Sequence, residues 1–117
     1  MLKKISFDFK GKRINITAKE CSGLNRFFGL MFKNRDDANP LLFEFKKSVS
    51  FRIHSLFVFF PFIAIWMDER NHVLDFQVVE PFALSIKAKR QYKKLLEIPM
   101  NEKYDRKINF SSVIRKV

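Results

Sequence analysis

The sequence predicts a mainly β domain of α+β class: a compact, barrel-like arrangement of six to eight short strands with one main helix near residues 22–32. Three observations carry that expectation. Apolar and polar residues alternate with period two over long stretches, one stretch alone shows a period near 3.6, and the most apolar run is short and broken by a proline.

Residues 2–18, LKKISFDFKGKRINITA, alternate on both sides of Lys10-Gly11-Lys12, so that Ile5, Phe7 and Phe9, then Ile14 and Ile16, share one face of a hairpin. Gly11 supplies a turn residue that tolerates positive φ. From Ser22 to Phe32 the apolar positions become Leu24, Phe27, Phe28 and Met31, a helical stripe for which Ser22 is the N-cap candidate. Gly29 inside the stripe costs about 1 kcal/mol relative to Ala and marks a close backbone approach. Lys33 to Pro40 has loop composition, and Leu41 to Phe45 reads as a strand.

Residues 55–67, SLFVFFPFIAIWM, carry no charge. A membrane-spanning helix needs about 20 apolar residues, whereas this run has 13 and is interrupted by Pro61. It reads as two buried strands meeting at Pro61, the second running from Phe62 to Asp68 and turning through Glu69 to Asn71 into a strand from His72 to Val79. Further extended pieces are predicted over Phe82–Ile86, Tyr92–Ile98 and Asn109–Val113, with a turn or short helix within residues 100–107. With so many short strands, a closed or nearly closed sheet limits exposed edges.

At 117 residues, with 47% hydrophobic residues and 15 Phe, the chain suits one domain with one substantial core. Cys21 is the single cysteine, and no charged, then apolar, then small-residue leader opens the sequence, so the expected setting is reducing and cytoplasmic. The formal charge of +11 is unevenly spread: residues 1–47 carry 11 basic and 5 acidic groups, residues 48–86 carry 2 and 4, and residues 87–117 carry 10 and 3. A solvated basic surface accounts for this. A polyanion surface would centre on Lys87, Lys89, Arg90, Lys93 and Lys94, with Tyr92 and Tyr104 as the surface aromatics able to stack on bases. The same lysines could make weak contact with an anionic membrane surface.

The ordered motifs GLMFK at 29–33, IHSLFVFFP at 53–61, the hairpin around Asp68, VVEPF at 78–82 and YKKLLEIP at 92–99 resemble domain-of-unknown-function family one hundred and ninety-two over roughly residues 14–113. Gly29, Leu30, Met31, His54, Ser55, Pro61, Asp68, Pro81, Glu97 and Pro99 carry the match. Three residues depart from the pattern: Lys33 stands for the family's usual Arg, Ile63 for its Asp and Phe82 for its Trp. The resemblance implies a compact, β-rich, barrel-like fold with one helix, and it supplies no activity, substrate or cofactor. A family site built on that Arg and Asp would be altered here.

Metal, nucleotide and nucleophile signatures are weak or missing. His54, His72 and Cys21 lack CxxC or HExxH spacing, so no metal is expected, and Gly11, Gly23 and Gly29 cannot build a phosphate-cradling loop. No cofactor is expected. A Cys21–His54 nucleophile pair is conceivable, but a lone cysteine is more often inert packing. The binding candidates are Lys33, Arg52, His54 and Ser55, a small anion-binding mouth at the entry to the apolar strand, with Asp68 and Glu97 as structural polar partners for Lys or for backbone amides. The leading expectation is therefore a non-enzymatic binding module for a small molecule, polysaccharide or protein. The alternatives are a basic nucleic-acid-binding domain and an enzyme of unrecognised chemistry using His54 with a carboxylate.

Overall fold

The computed structural model describes residues 2–21, 29–31 and 33–114. Six strands form one sheet: β1 (Leu2–Phe9), β2 (Lys12–Glu20), β3 (Leu41–Val49), β4 (Phe62–Met67), β5 (Val73–Val79) and β6 (Tyr92–Pro99), in the order β1-β2-β3-β6-β4-β5. All neighbours are antiparallel except β2 and β3, which share a short parallel ladder at Lys19–Leu41 and Glu20–Leu42. The first hairpin closes through Lys10 and Gly11, both at positive φ (53° and 76°), the primed-turn geometry whose twist suits two strands.

The sheet curls into a half-barrel, and its first and last strands meet through side chains. Phe9 packs edge-on against Phe76 at 4.9 Å between centroids, and Asn71 Nδ2 donates to the Ser6 carbonyl at 3.3 Å. The alternation seen in the sequence sorts side chains into two apolar layers. Ile5, Phe7, Ile14, Ile16, Ile63 and Ile65 belong to the inner layer, while Phe43, Phe62, Trp66 and Leu95 belong to the outer one. The interior strand β4, between β6 and β5, is buried on both faces, which is why its sequence shows no alternation.

Two short helices follow β6: α1 (Glu102–Asp105) and α2 (Phe110–Ile114). α1 falls within the stretch expected to be a turn or short helix. α2 replaces the strand predicted over Asn109–Val113: Ile108, Phe110 and Val113 bury into the inner layer, and the Asp105 carboxylate accepts from the Phe110 N–H at 3.1 Å. So short a segment is ambiguous by periodicity alone.

Two other predicted strands do not form. Residues 55–60 do alternate, with Val58 and Phe60 buried and Phe57 and Phe59 exposed, but the segment turns at Leu56 and Phe57, and Phe57 sits at φ 60°. Alternation here reports a one-sided burial, not ladder pairing. Phe82–Ile86 begins at φ 63° and contributes one isolated bridge, Ile53 to Ile86. The helix expected over 22–32 falls mostly outside the described residues; of it, Gly29 to Met31 form a turn. No helix among the described residues is long and apolar enough to cross a membrane.

Candidate functional site

Strands β3, β4 and β6 turn their outer-layer side chains toward the segments 29–31 and 51–58, and the space between them is a cavity of about 430 Å³, within the range of small-ligand sites. Its sheet-side wall is Phe43, Phe45, Phe62 and Leu95, and its cover is Leu30, Met31, Phe51 and Val58. Phe45 contacts both Phe51 and Tyr92 edge-on, at 5.6 and 6.0 Å, and the Tyr92 ring lies 6.2 Å from that of Trp66. A run of aromatic contacts thus links the cavity cover to the buried indole.

Glu97 is the polar group on the sheet side of this space. It sits on β6 in register with Leu41 of β3 and Ala64 of β4, and is 7% exposed. Its Oε1 lies against Gly29, where a Cβ would come within 3.5 Å, and Gly29 itself takes φ 46°. Among the described residues, no hydrogen bond or ion pair reaches the carboxyl. Burial pushes its pKa up to about 8, so the group is mostly protonated at neutral pH. The Tyr92 phenol, which donates to the Phe51 carbonyl at 2.7 Å, is pushed up to about 12 by burial; the Trp66 indole partly offsets this and the Glu97 charge adds to it.

The other polar candidates separate. Arg52 and His54 line the exposed mouth of the cavity. Arg52 donates to Ser85 Oγ at 3.2 Å, and His54 Nδ1 accepts from the Leu56 N–H at 3.2 Å, which leaves Nε2 as the ring nitrogen available to a ligand. Lys33 is exposed and is not among the residues lining the cavity. Ser55 is fully buried and committed elsewhere: its hydroxyl donates to the Glu80 carbonyl at 2.6 Å and accepts from the Ala83 N–H at 2.7 Å. Backbone bonds Ser55 N–H to Ala83 O and Phe82 N–H to Ser55 O complete the clasp, which holds two segments whose Phe57 and Phe82 both sit at positive φ.

Asp68 organises the β4–β5 turn, accepting from the Arg70 and His72 N–H groups at 2.8 and 2.9 Å and meeting the His72 ring at 3.0 Å. Partial desolvation pushes its carboxyl up, but the His72 and Arg70 amides and the His72 ring together hold it below its ordinary value. Cys21 is buried, with Sγ against the Lys19 carbonyl at 3.7 Å. Burial raises its thiol, the Glu97 charge adds to that, and Lys19 and Lys33 oppose it. It is not among the residues lining the cavity beside His54. Among the described residues no cluster of three or more His, Cys, Asp or Glu could hold a metal ion.

The basic segment also divides. Lys87, Lys89 and Arg90 are exposed, whereas Lys93 and Lys94 are half-buried on opposite sides of β6. Lys93 reaches Glu69 at 3.5 Å, and Lys94 reaches Asn71 at 2.7 Å and Glu44 at 3.7 Å. Tyr92, expected at the surface, is 1% exposed, because β6 begins there and pairs with Val49 across a register shift that turns the ring into the outer layer. Tyr104 is half-buried with its hydroxyl on Asn39.

No protein-family model matches the chain, and no curated protein sequence matches it. Solved structures share its fold. A protein of unknown function from Novosphingobium aromaticivorans is 15% identical with a TM-score of 0.72, covering 90% of this chain and 77% of its own. A protein from Sinorhizobium meliloti, described as a proposed transcription regulator, is 14% identical with a TM-score of 0.70, covering 84% of this chain and 78% of its own. At these identities the likeness is one of fold.

Proposed function

We propose that this chain is a non-enzymatic binding module whose ligand is a small molecule with an apolar body, seated between the sheet and the segments 29–31 and 51–58. The observation that carries this reading is the cavity itself: about 430 Å³, walled mainly by Phe, Leu and Val side chains, with Glu97 within and Arg52 and His54 at the mouth. Few, convergent polar groups in an apolar enclosure orient a ligand. No nucleophile with an adjacent base accompanies them among the described residues, so binding is favoured over covalent chemistry. On motif order, we place the chain beside domain-of-unknown-function family one hundred and ninety-two.

The test is a titration with 2-phenylethanol, followed by fluorescence of Trp66, the single tryptophan. The indole is coupled to the cavity wall through Tyr92. Val58→Phe, which places a ring in the cavity from its cover, should weaken binding at least tenfold while circular dichroism stays unchanged. Equal affinity in the two proteins would sink the reading.

A second reading, nucleic-acid binding, draws support from the exposed Lys87, Lys89 and Arg90 and from the regulator description of the S. meliloti protein. Burial of Tyr92 removes one of its two stacking aromatics. Anisotropy of labelled single-stranded DNA decides: binding that persists at physiological salt with sequence preference supports it, and no binding there rejects it.

A further inference from the structure

The strongest unexplained feature of the described residues is an acid buried inside an aromatic cavity with no cation beside it. Burial of a carboxyl without hydrogen bonds costs several kcal/mol in general, and apolar side chains are the usual occupants of such positions. Glu97 stands at the centre of the sheet, between β3 and β4, where Leu or Val would pack without that cost. Its side chain lines the cavity, where a partner could reach it.

The chemistry of the wall narrows the partner. Phe43, Phe45, Phe51, Phe62 and Tyr92 surround the same space, and the faces of aromatic rings attract cations when water is excluded. An anion would meet the buried Glu97 carboxyl, which is unfavourable. A neutral apolar molecule would leave the carboxyl unpaired. A primary or secondary ammonium on an apolar body satisfies both elements, pairing with the carboxylate while the rings surround its alkyl or aryl part.

Resting on the proposed cavity binding, we infer that the ligand is a hydrophobic amine whose ammonium group pairs with Glu97. The proton account is simple. The amine enters as its ammonium, the Glu97 carboxyl ionises, and the carboxyl proton leaves to solvent, so each binding event releases up to one proton. Other charged or titratable groups around this space are Arg52 and His54 at the mouth, Tyr92 in the wall, Cys21 at the end of β2 and Lys33 beyond the 29–31 turn. None of them is an alternative anionic partner near neutral pH. Arg52, Lys33 and the overall charge of +11 repel an incoming cation at long range, so amine affinity should rise with added salt, opposite to polyanion binding.

The experiment titrates the intact chain with 2-phenylethylamine and with the size-matched neutral 2-phenylethanol, in wild type and Glu97→Gln, from pH 6 to pH 8.5, using calorimetry in two buffers of different ionisation enthalpy. Wild type should prefer the amine at least tenfold at pH 8.5, with amine affinity growing steeply between pH 6 and 8 and proton release on binding below pH 8. Glu97→Gln should lose both the preference for the amine over the alcohol and the pH dependence. Equal affinity for amine and alcohol in wild type overturns the amine inference and leaves the cavity reading standing. Binding of neither probe overturns both. Should Glu97→Gln fail to fold, the wild-type pH series decides alone, because a flat amine affinity across that range overturns the inference.

Discussion

Replacing Glu97 by Gln should make the chain more stable above neutral pH, against the usual cost of altering a buried residue. The sign follows from proton linkage. In the unfolded chain the carboxyl ionises at its ordinary value near 4.5, whereas in the folded chain burial holds it protonated up to about 8. Below pH 4.5 both states are protonated and the full folded stability is present. Between the two values the unfolded chain has lost a proton that the folded chain retains, so stability falls by about 1.4 kcal/mol for each pH unit. Above about 8 the loss levels off, at up to about 5 kcal/mol in total. Against an ordinary stability of about 5–15 kcal/mol this is a large fraction. Glutamine keeps the shape and titrates in neither state, so the variant lacks this slope. The assay is urea unfolding of both proteins at unit steps from pH 5 to pH 9, reading the difference between them so that all other titrating groups cancel. A difference that is under about 1 kcal/mol at pH 5, grows through pH 8 and then flattens is expected. Parallel stability curves would refute the claim that Glu97 is buried and unpaired, and with it the electrostatics of the cavity.

Two further outcomes follow from polar groups outside the cavity. Ser55→Ala removes a hydroxyl that both donates to Glu80 O and accepts from Ala83 N–H, leaving two backbone groups unpaired; a loss of about 2–4 kcal/mol is expected in chemical denaturation, and a loss under 0.5 kcal/mol would show that the clasp is not needed to hold the two segments. Asp68→Asn removes a carboxylate held below its ordinary value of 3.8. The contribution of Asp68 is present above that value and lost as pH falls through the lower folded one, so wild type should exceed the variant in stability at pH 6 and lose that advantage as pH falls below 3.8, and a constant gap through that fall would contradict the assignment.

The architecture was largely legible because period-two alternation is a local consequence of a sheet with a buried face. The first hairpin followed from the residues around Gly11, and the β4–β5 hairpin from its polar turn between apolar runs. Failures came where alternation and pairing part company. Residues 55–60 bury every second side chain against the sheet while their backbone bonds are drawn toward residues 80–83 by Ser55, a long-range clasp that no local window contains. The segment 109–113 has too few residues for its period to separate strand from helix, and Asp105 rather than any residue within it fixes the outcome.

The site was less legible, for a different physical reason. Alternation places Glu97 on the same side of β6 as Leu95, and a charged residue at such a position reads as a paired structural acid. Whether that side meets a packed layer or an open cavity depends on how closely 29–31 and 51–58 approach the sheet, which is a matter of tertiary distance. Ile63 belongs to the inner layer, whereas its neighbour Phe62 faces the cavity. A carboxyl at position 63 would therefore be carried on the opposite face of the sheet from Glu97. Ile63 instead packs within the inner layer, and the acid that borders the cavity is Glu97 on the outer side.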